Sequence, residues 1–302
     1  MKPVGGVLTA VGSAVFFVIA VTEVEAIPPK FEDLTLQIAL TNDTIFPMEP
    51  VRLTITLGNR TEQPVLGHDR LHPGLGTLTF RVAGKDGLFH IIHLGTVLHM
   101  DADAHEKLLP PGYEQSEQVD LWHGTVANSL FKAIFPEPGK YSFKANLTSI
   151  DRKSSIESNI VQIRVLEPEP VDEAAWEYLR DYELKNGRFF FISTYDPKEL
   201  AGIEKFIGLF PNSRYVLFGH YTLGLSYYIT KNLDQARASL ETVARRKHFF
   251  YGDKVLYYLI QICLRSGKIE EARSHLSVLK TDYPGSTRLE PAERNIYRAT
   301  RP

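Results

Sequence analysis

The chain has almost no cysteine and almost no net charge. It contains a single cysteine, Cys263, in 302 residues, so neither an internal disulfide framework nor a thiolate zinc site can form. The formal net charge of −2 provides no overall positive field for binding nucleic acid. Apolar residues at 43 % and charged residues at 23 % are ordinary for a globular protein, which excludes a disordered or polytopic membrane chain. The length favours two domains.

Residues 1–26 have the features of an export signal. Lys2 precedes an apolar stretch, and Val24-Glu25-Ala26 places small residues at the two positions that a signal peptidase reads. The apolar stretch is about 18 residues long, which is close to the minimum for crossing a bilayer. We therefore expect an exported protein, periplasmic or extracellular, and the alternative is an uncleaved membrane anchor formed by residues 4–22.

Residues 30–167 alternate between apolar and polar side chains. Residues 34–40, 51–57, 78–82 and 160–165 each show this period of two, and Gly, Pro and Asn-Asp turn signals lie between them. Alternation of this kind indicates antiparallel strands with one face in water. Seven or eight short strands at this spacing predict a β-sandwich.

One motif refines the prediction for this half. Gly139, Tyr141 and Phe143 follow an acidic residue and a proline at every second position. The pattern resembles the tyrosine corner of immunoglobulin-like domains, in which the glycine takes a turn conformation and the tyrosine hydroxyl bonds back to the backbone. Phe143 stands where antibody domains have a cysteine, so the resemblance implies an immunoglobulin-like core without a disulfide.

After a proline-rich linker at residues 168–171 the apolar period becomes helical. Asp172 is expected to cap a helix that stops near Gly187, and Pro197 is expected to start another. Farther along, the sequence repeats itself at an offset of 36, pairing Ala236 with Ala272, Leu240 with Leu276 and Tyr221 with Tyr257. A period of this size predicts stacked helical hairpins.

These residues resemble the tetratricopeptide-repeat family over residues 172–286. The matching positions are Tyr221, Gly224 and Tyr227 on a first helix, Ala236 on the second, and a terminator of the form Tyr/Phe-Pro-x-Ser. The resemblance is closest to periplasmic repeat proteins of bacterial cell-envelope assembly. It implies that the small Ala236 and Ala272 let paired helices approach closely.

The same resemblance implies a groove that binds a protein or peptide. Aromatic side chains that cannot all face the core are candidates to line it, and the basic run after the second helix is a candidate docking patch for an acidic partner or an anionic lipid surface. The candidate groove residues are Tyr221, Tyr228, Tyr258, Arg245 and Arg246. Residues 287–302 are expected to be a frayed basic tail.

Signals for catalysis are weak. No nucleophile elbow, phosphate loop or dinucleotide fingerprint occurs, and Cys263 lies in an apolar helical run where a thiol is inert. Seven of the ten histidines lie between residues 68 and 123, but their spacing matches no metal motif. They are His68, His72, His90, His93, His99, His105 and His123.

The sequence therefore favours an exported, non-catalytic binding or scaffold protein of the bacterial envelope, with no cofactor, no metal ligand that can be assigned, a protein or peptide partner and no nucleic acid. One alternative is a metal-binding protein or metalloenzyme that uses the histidines. The other is a protease inhibitor or adhesion module that uses the 99–118 segment, which is predicted to be a long loop.

Overall fold

The computed structural model describes residues 29–71, 73, 76–94, 105–126 and 132–301. Within these residues all strands precede all of the α-helices. The strands are β1 (Leu34–Leu40), β2 (Thr44–Ile45), β3 (Val51–Asn59), β4 (Val65–His68), β5 (Leu78–Ala83), β6 (His90–Leu94), β7 (Glu106–Leu109), β8 (Glu114–Leu121), β9 (His123–Val126), β10 (Lys132–Ala133), β11 (Gly139–Thr148), β12 (Ser155–Glu157) and β13 (Val161–Val165). A 3-10 turn, Phe31–Asp33, comes before β1.

The strands form three sheets. One sheet has the order β1-β3-β8, and a larger one has the order β10-β9-β6-β5-β11-β13-β2, with β12 also paired to β11. The pair β4-β7 forms a separate ribbon. Among the described residues, every pairing is antiparallel except β13 with β2. The all-β architecture with antiparallel sheets is thus confirmed for this half.

The alternation in the sequence corresponds to burial. In β1, Leu34, Leu36 and Ile38 are buried while the residues between them are not, and in β3 the buried set includes Leu53 and Ile55. These side chains share one core with residues of the larger sheet such as Phe80, Phe143 and Ile163. Burial of apolar side chains from two sheets is the main stabilising contribution of this half.

The helical half begins slightly earlier than expected. The helices are α1 (Pro170–Asn186), α2 (Pro197–Leu209), α3 (Tyr215–Ile229), α4 (Leu233–Ala244), α5 (Gly252–Arg265), α6 (Ile269–Asp282) and α7 (Leu289–Ala299). Helix α1 starts inside the expected linker, with Glu169 at its N-cap, and it ends at Gly187 in the left-handed conformation with φ 67°. Helix α2 starts at Pro197 as predicted, and the carboxylate of Asp196 accepts from the backbone N–H of Lys198.

Residues 287–302 are not a frayed tail. Most of them form α7, whose Ala292 and Ile296 are buried and share an apolar cluster with Leu256, Ile260 and Leu279. The physical reason is a short amphipathic stripe, since these two residues lie four apart on one face of the helix. The arginines of the segment lie on the other faces of the helix, and their charge made the apolar stripe difficult to recognise in the sequence.

None of the helices in the described part of the chain is long and apolar enough to cross a membrane. The expected signal peptide or anchor at residues 1–26 lies outside the described residues.

Candidate functional site

The tyrosine corner has the expected geometry. The hydroxyl of Tyr141 donates to the backbone oxygen of Glu137 at 2.9 Å, and burial raises the pKa of this tyrosine. Gly139 has φ 149°, a conformation that a side chain would strain. Phe143 is fully buried and stacks on Phe80 with ring centroids 5.3 Å apart. This motif therefore positions β11 against the core.

The small residues of the helical half let the helices pack closely. Ala236 and Ala272 are fully buried, so neither faces water. A Cβ atom on Gly224 of α3 would lie 2.6 Å from the side chain of Leu240 on α4, which is closer than any real contact allows. Lys231 and Gly267, at the expected offset of 36, both have positive φ, of 63° and 70°. The two hairpins α3-α4 and α5-α6 therefore share their turn conformation as well as their sequence.

Two of the helical hairpins are each closed by an aspartate near the start of their first helix. The carboxylate of Asp172 in α1 accepts from the hydroxyl and backbone of the Ser213-Arg214 segment after α2, at 2.8 Å each. Asp253 in α5 accepts from the hydroxyl of Ser286 after α6, also at 2.8 Å. Asp172 is thus a buried clamp and not the helix cap predicted from the sequence. The serines of both clamps are those of the Pro-x-Ser terminators.

The two halves meet at Trp122, at the end of β8. Its ring centroid lies 5.1 Å from those of Phe189 and Phe218 and 5.2 Å from that of Tyr251, and its N–H donates to the backbone oxygen of Met48 at 2.8 Å. The aromatic run at residues 189–191 thus packs between the helices and the β half. Aromatic clusters of this kind are stabilised both by apolar burial and by ring geometry.

Tyr221 belongs to this interface and cannot line an open groove. Its side chain is 6 % exposed, its ring stacks on Tyr251 with centroids 4.9 Å apart, and it also approaches Trp122. Burial raises its pKa well above the ordinary range. The prediction failed because Trp122, far away in sequence, covers this part of the helix face.

Polar contacts connect the same two halves. The carboxylate of Asp120 is 2.7 Å from the ammonium of Lys254 and 2.7 Å from the guanidinium of Arg52. Burial favours the neutral form of Asp120, but the two cations outweigh burial and hold its pKa below the ordinary value. The hydroxyl of Tyr215 donates to the backbone oxygen of Pro47 at 2.9 Å. The β half is therefore attached to α3 and α5 by both apolar and charged contacts.

The next turns of the same helix faces carry Tyr228 and Tyr258. Residues 218, 221, 225 and 228 follow one another at helical spacing, so they share one face of α3. Tyr228 and Tyr258 are half-buried and meet edge to face at 5.0 Å, and the guanidinium of Arg265 lies 4.5 Å above Tyr228. In contrast to Tyr221, these two tyrosines pack on each other, and they keep part of their surface exposed.

Arg245 and Arg246 are exposed and follow the last turn of α4. Arg246 reaches the mouth of a cleft between the β half and the helices, together with Lys247 and His248. The structure thus separates the candidate groove residues into three places. Tyr221 is in the interface, Tyr228 and Tyr258 form an aromatic pair on the helix face, and the arginines lie near the junction.

The histidines that the structure describes do not converge. His68 bonds to the backbone oxygen of Thr148 at 2.8 Å, His90 to the carboxylate of Asp86 at 2.8 Å, and His123 stacks on Phe189 at 5.2 Å. Burial lowers the pKa of His123 to about 4. Among the residues that the structure describes, no three His, Cys, Asp or Glu side chains come together to hold a metal ion. His72 and His99 lie outside the described residues.

The described part of the 99–118 segment, residues 105–118, is mostly strand. Residues 106–109 form β7 and residues 114–121 form β8, joined by a turn at Gly112 with φ 73°. Residues 99–104 lie outside the described residues. The observation that suggested an inhibitor or adhesion loop is therefore absent from the described part of this segment.

Comparison with known proteins does not reveal a family. No family model matches the chain, and no curated protein matches it. Among solved structures, a β-glucosidase from Erythrobacter marinus aligns with 44 % of this chain at 12 % identity and a TM-score of 0.27, and the chain spans 15 % of that enzyme's length. The CARDB domain of the PF1109 protein from Pyrococcus furiosus, in complex with di-metal ions, aligns with 45 % of this chain and 97 % of its own length, at 14 % identity and a TM-score of 0.23. The sporulation control protein Spo0M from Bacillus subtilis aligns with 49 % of this chain and 55 % of its own length, at 15 % identity and a TM-score of 0.25. Similarities this distant carry no argument about function.

Proposed function

We propose that this chain is an exported, non-catalytic binding or scaffold protein of the bacterial cell envelope. In this proposal the β half is an immunoglobulin-like sandwich, and the helical half is a stack of the tetratricopeptide-repeat type that presents a protein-binding face. The Tyr141 corner supports the first assignment, and the buried Ala236 and Ala272 at the offset of 36 support the second.

The observation that carries the binding role is the aromatic pair Tyr228–Tyr258 beside Arg265. Tyrosine and arginine are enriched among the side chains that contribute most to protein interfaces, because they combine a large apolar surface with a polar end. The pair lies on the same face that Trp122 covers about two to three turns earlier, where Phe218 and Tyr221 already contact Trp122 of the β half. A partner would therefore extend a contact surface that the chain itself uses.

The experiment is capture of envelope proteins on the full chain, compared with the variant Tyr228→Ala/Tyr258→Ala. We expect a specific partner to be retained by the wild type and lost by the double variant. Tyr297→Ala is the matched control, because Tyr297 is 57 % exposed and belongs to α7, not to α3 or α5. A partner that binds all three proteins equally would refute the assigned face, and the absence of any partner would refute the scaffold role.

The export prediction needs its own measurement. We expect the mature protein in the periplasmic or extracellular fraction, with its first residue at or near Ile27. Intact-mass measurement of the exported protein distinguishes cleavage from an anchor, since an anchored form would retain residues 4–22 and partition with membranes.

A further inference from the structure

The junction between the two halves contains a cleft of about 510 Å³. One wall comes from the β half around residues 41–52, and the other comes from the start of α3 and the segment after α4. A volume of this size is within the range that takes a small ligand or the side chains of a bound segment. The cleft lies apart from the Tyr228–Tyr258 pair, neither of which lines it.

The inner surface of the cleft is apolar and aromatic. It includes Ile45 and Val51 from the β half and Leu217, Phe218, Phe249 and Phe250 from the helical half. Most of these side chains also pack in the cores of the two halves, so the surface they offer is already fixed. A preorganised apolar surface favours an apolar side chain of a partner, since little ordering is needed on binding.

The rim of the cleft is positively charged. Arg52 and Arg214 line it, but both already have carboxylate partners, Arg52 with Asp120 and Arg214 with Asp172 and Glu49. Arg246 and Lys247 differ from them. Both are exposed, and within the described residues neither has a carboxylate at ion-pair distance.

Glu49 is the only carboxylate that lines the cleft among the described residues. Its carboxylate accepts from the backbone N–H of Phe46 and lies 3.6 Å from the guanidinium of Arg214, so its negative charge already has partners within the protein. The uncompensated charge at the mouth is therefore positive. The adjoining His248 has φ 64°, an uncommon conformation for a residue with a side chain, and it turns the chain so that the exposed cations are followed directly by the buried Phe249.

We propose that this cleft binds an acidic peptide segment of a partner protein, with carboxylates on Arg246 and Lys247 and a bulky apolar side chain against Phe249 and Leu217. This inference rests on the proposed binding function and names the partner chemistry at a second surface. Charge complementarity selects an acidic segment. The recessed apolar floor selects a narrow chain with a protruding side chain over a flat anionic membrane.

The test is selection of a random dodecapeptide display library on the full chain, followed by affinity measurement with the enriched peptide. We expect enriched sequences to combine Asp or Glu with Phe, Leu or Trp. A labelled peptide of that sequence should bind more weakly as salt increases, and Arg246→Ala/Lys247→Ala should weaken it by about tenfold, since each exposed ion pair contributes a few-fold. Replacing the acidic residues of the peptide by Asn and Gln should have a similar effect.

Arg298→Ala is the matched control, because Arg298 is an exposed cation on α7 that does not line the cleft. The proposal is overturned if no peptide is enriched, if the enriched peptides lack acidic residues, or if the double variant binds as well as the wild type. Binding to phosphatidylserine vesicles that depends on Arg246 and Lys247, without peptide binding, would also overturn it in favour of a membrane surface. If the wild type binds no acidic peptide but still captures a partner through Tyr228 and Tyr258, the cleft proposal alone is refuted and the scaffold role stays intact.

Discussion

Glu183 provides a sharp test of how the two halves are joined. Its side chain in α1 is 5 % exposed, and its carboxylate accepts from the backbone N–H of Ala133 in β10 at 3.0 Å. Burial raises its pKa from 4.5 to about 7, and the hydrogen bond from Ala133 and the nearby charge of Lys132 only partly oppose this. The environment of the junction therefore favours the protonated form of the Glu183 carboxyl group.

The sign of the resulting pH dependence follows from linkage. Between pH 4.5 and 7 the folded chain holds a proton at Glu183 that the unfolded chain has released, so the free energy of unfolding falls as pH rises through this window. A rise from 4.5 to about 7 corresponds to about 3 kcal/mol, since each pKa unit is about 1.4 kcal/mol. Glu183→Gln removes the ionisation and retains an oxygen that can accept from Ala133. We expect the variant to match the wild type near pH 4 apart from a constant offset, and to gain up to about 3 kcal/mol relative to it by pH 8.

The assay is urea unfolding from pH 4 to pH 8, followed by circular dichroism and by tryptophan fluorescence. The difference between variant and wild type at each pH isolates Glu183, because other titrating groups contribute equally to both proteins. Glu177→Gln is the control, since Glu177 is exposed on the same helix, and its profile should run parallel to that of the wild type. Parallel profiles for Glu183→Gln as well would mean that the carboxyl group is not buried in the junction.

Four further variants test the same architecture. His123 contributes a pH dependence of opposite sign to that of Glu183. Because its pKa is lowered from 6.5 to about 4, the free energy of unfolding of the wild type rises with pH across that range. His123→Phe should lack this rise, which is up to about 3 kcal/mol. Trp122→Ala should lower the unfolding free energy by about 3–5 kcal/mol, measured by urea titration, and a variant within 1 kcal/mol of the wild type would contradict the aromatic junction. Gly224→Ala should lower the free energy of unfolding by about 1–3 kcal/mol, because the added Cβ would clash with Leu240. A lower melting temperature would show this loss. Gly202→Ala, on α2 with no atom within 4 Å of its Cβ, should raise stability by about 0.5–1 kcal/mol, and equal effects of the two substitutions would refute the close helix approach.

Local patterns predicted the elements of this chain well. The alternation at residues 34–40 and 51–57 became β1 and β3, and the helix start at Pro197 and stop at Gly187 were both confirmed. These features depend on backbone conformation and on burial of one face, and both are determined by residues that are neighbours in the sequence. The all-β and helical halves were therefore accessible from the sequence alone.

Contacts between distant segments were not accessible. Nothing near Trp122 in the sequence identifies Phe218 or Tyr251 as its neighbours, so Tyr221 was expected in an open groove and was found in the interface. The run at residues 189–191 did give a signal, since three consecutive phenylalanines have no place in a hairpin repeat and needed another surface to pack on. The stripe of Ala292 and Ile296 was a second available signal, which the surrounding arginines obscured.

The covered helix face changes how binding by this chain should be understood. Trp122 occupies the first turns of the face on α3, and Tyr228 and Tyr258 continue it on α3 and α5. A partner at this pair would meet a surface whose inner end is closed by the chain's own β half, so its length along the helices would be limited. Because Asp120, Lys254 and the aromatic cluster hold that half in place, binding would require little ordering of the chain. Weakening the junction should therefore reduce partner affinity even when Tyr228 and Tyr258 are intact, and Asp120→Asn, which removes a carboxylate shared by two cations, is the variant in which capture and stability can be compared directly.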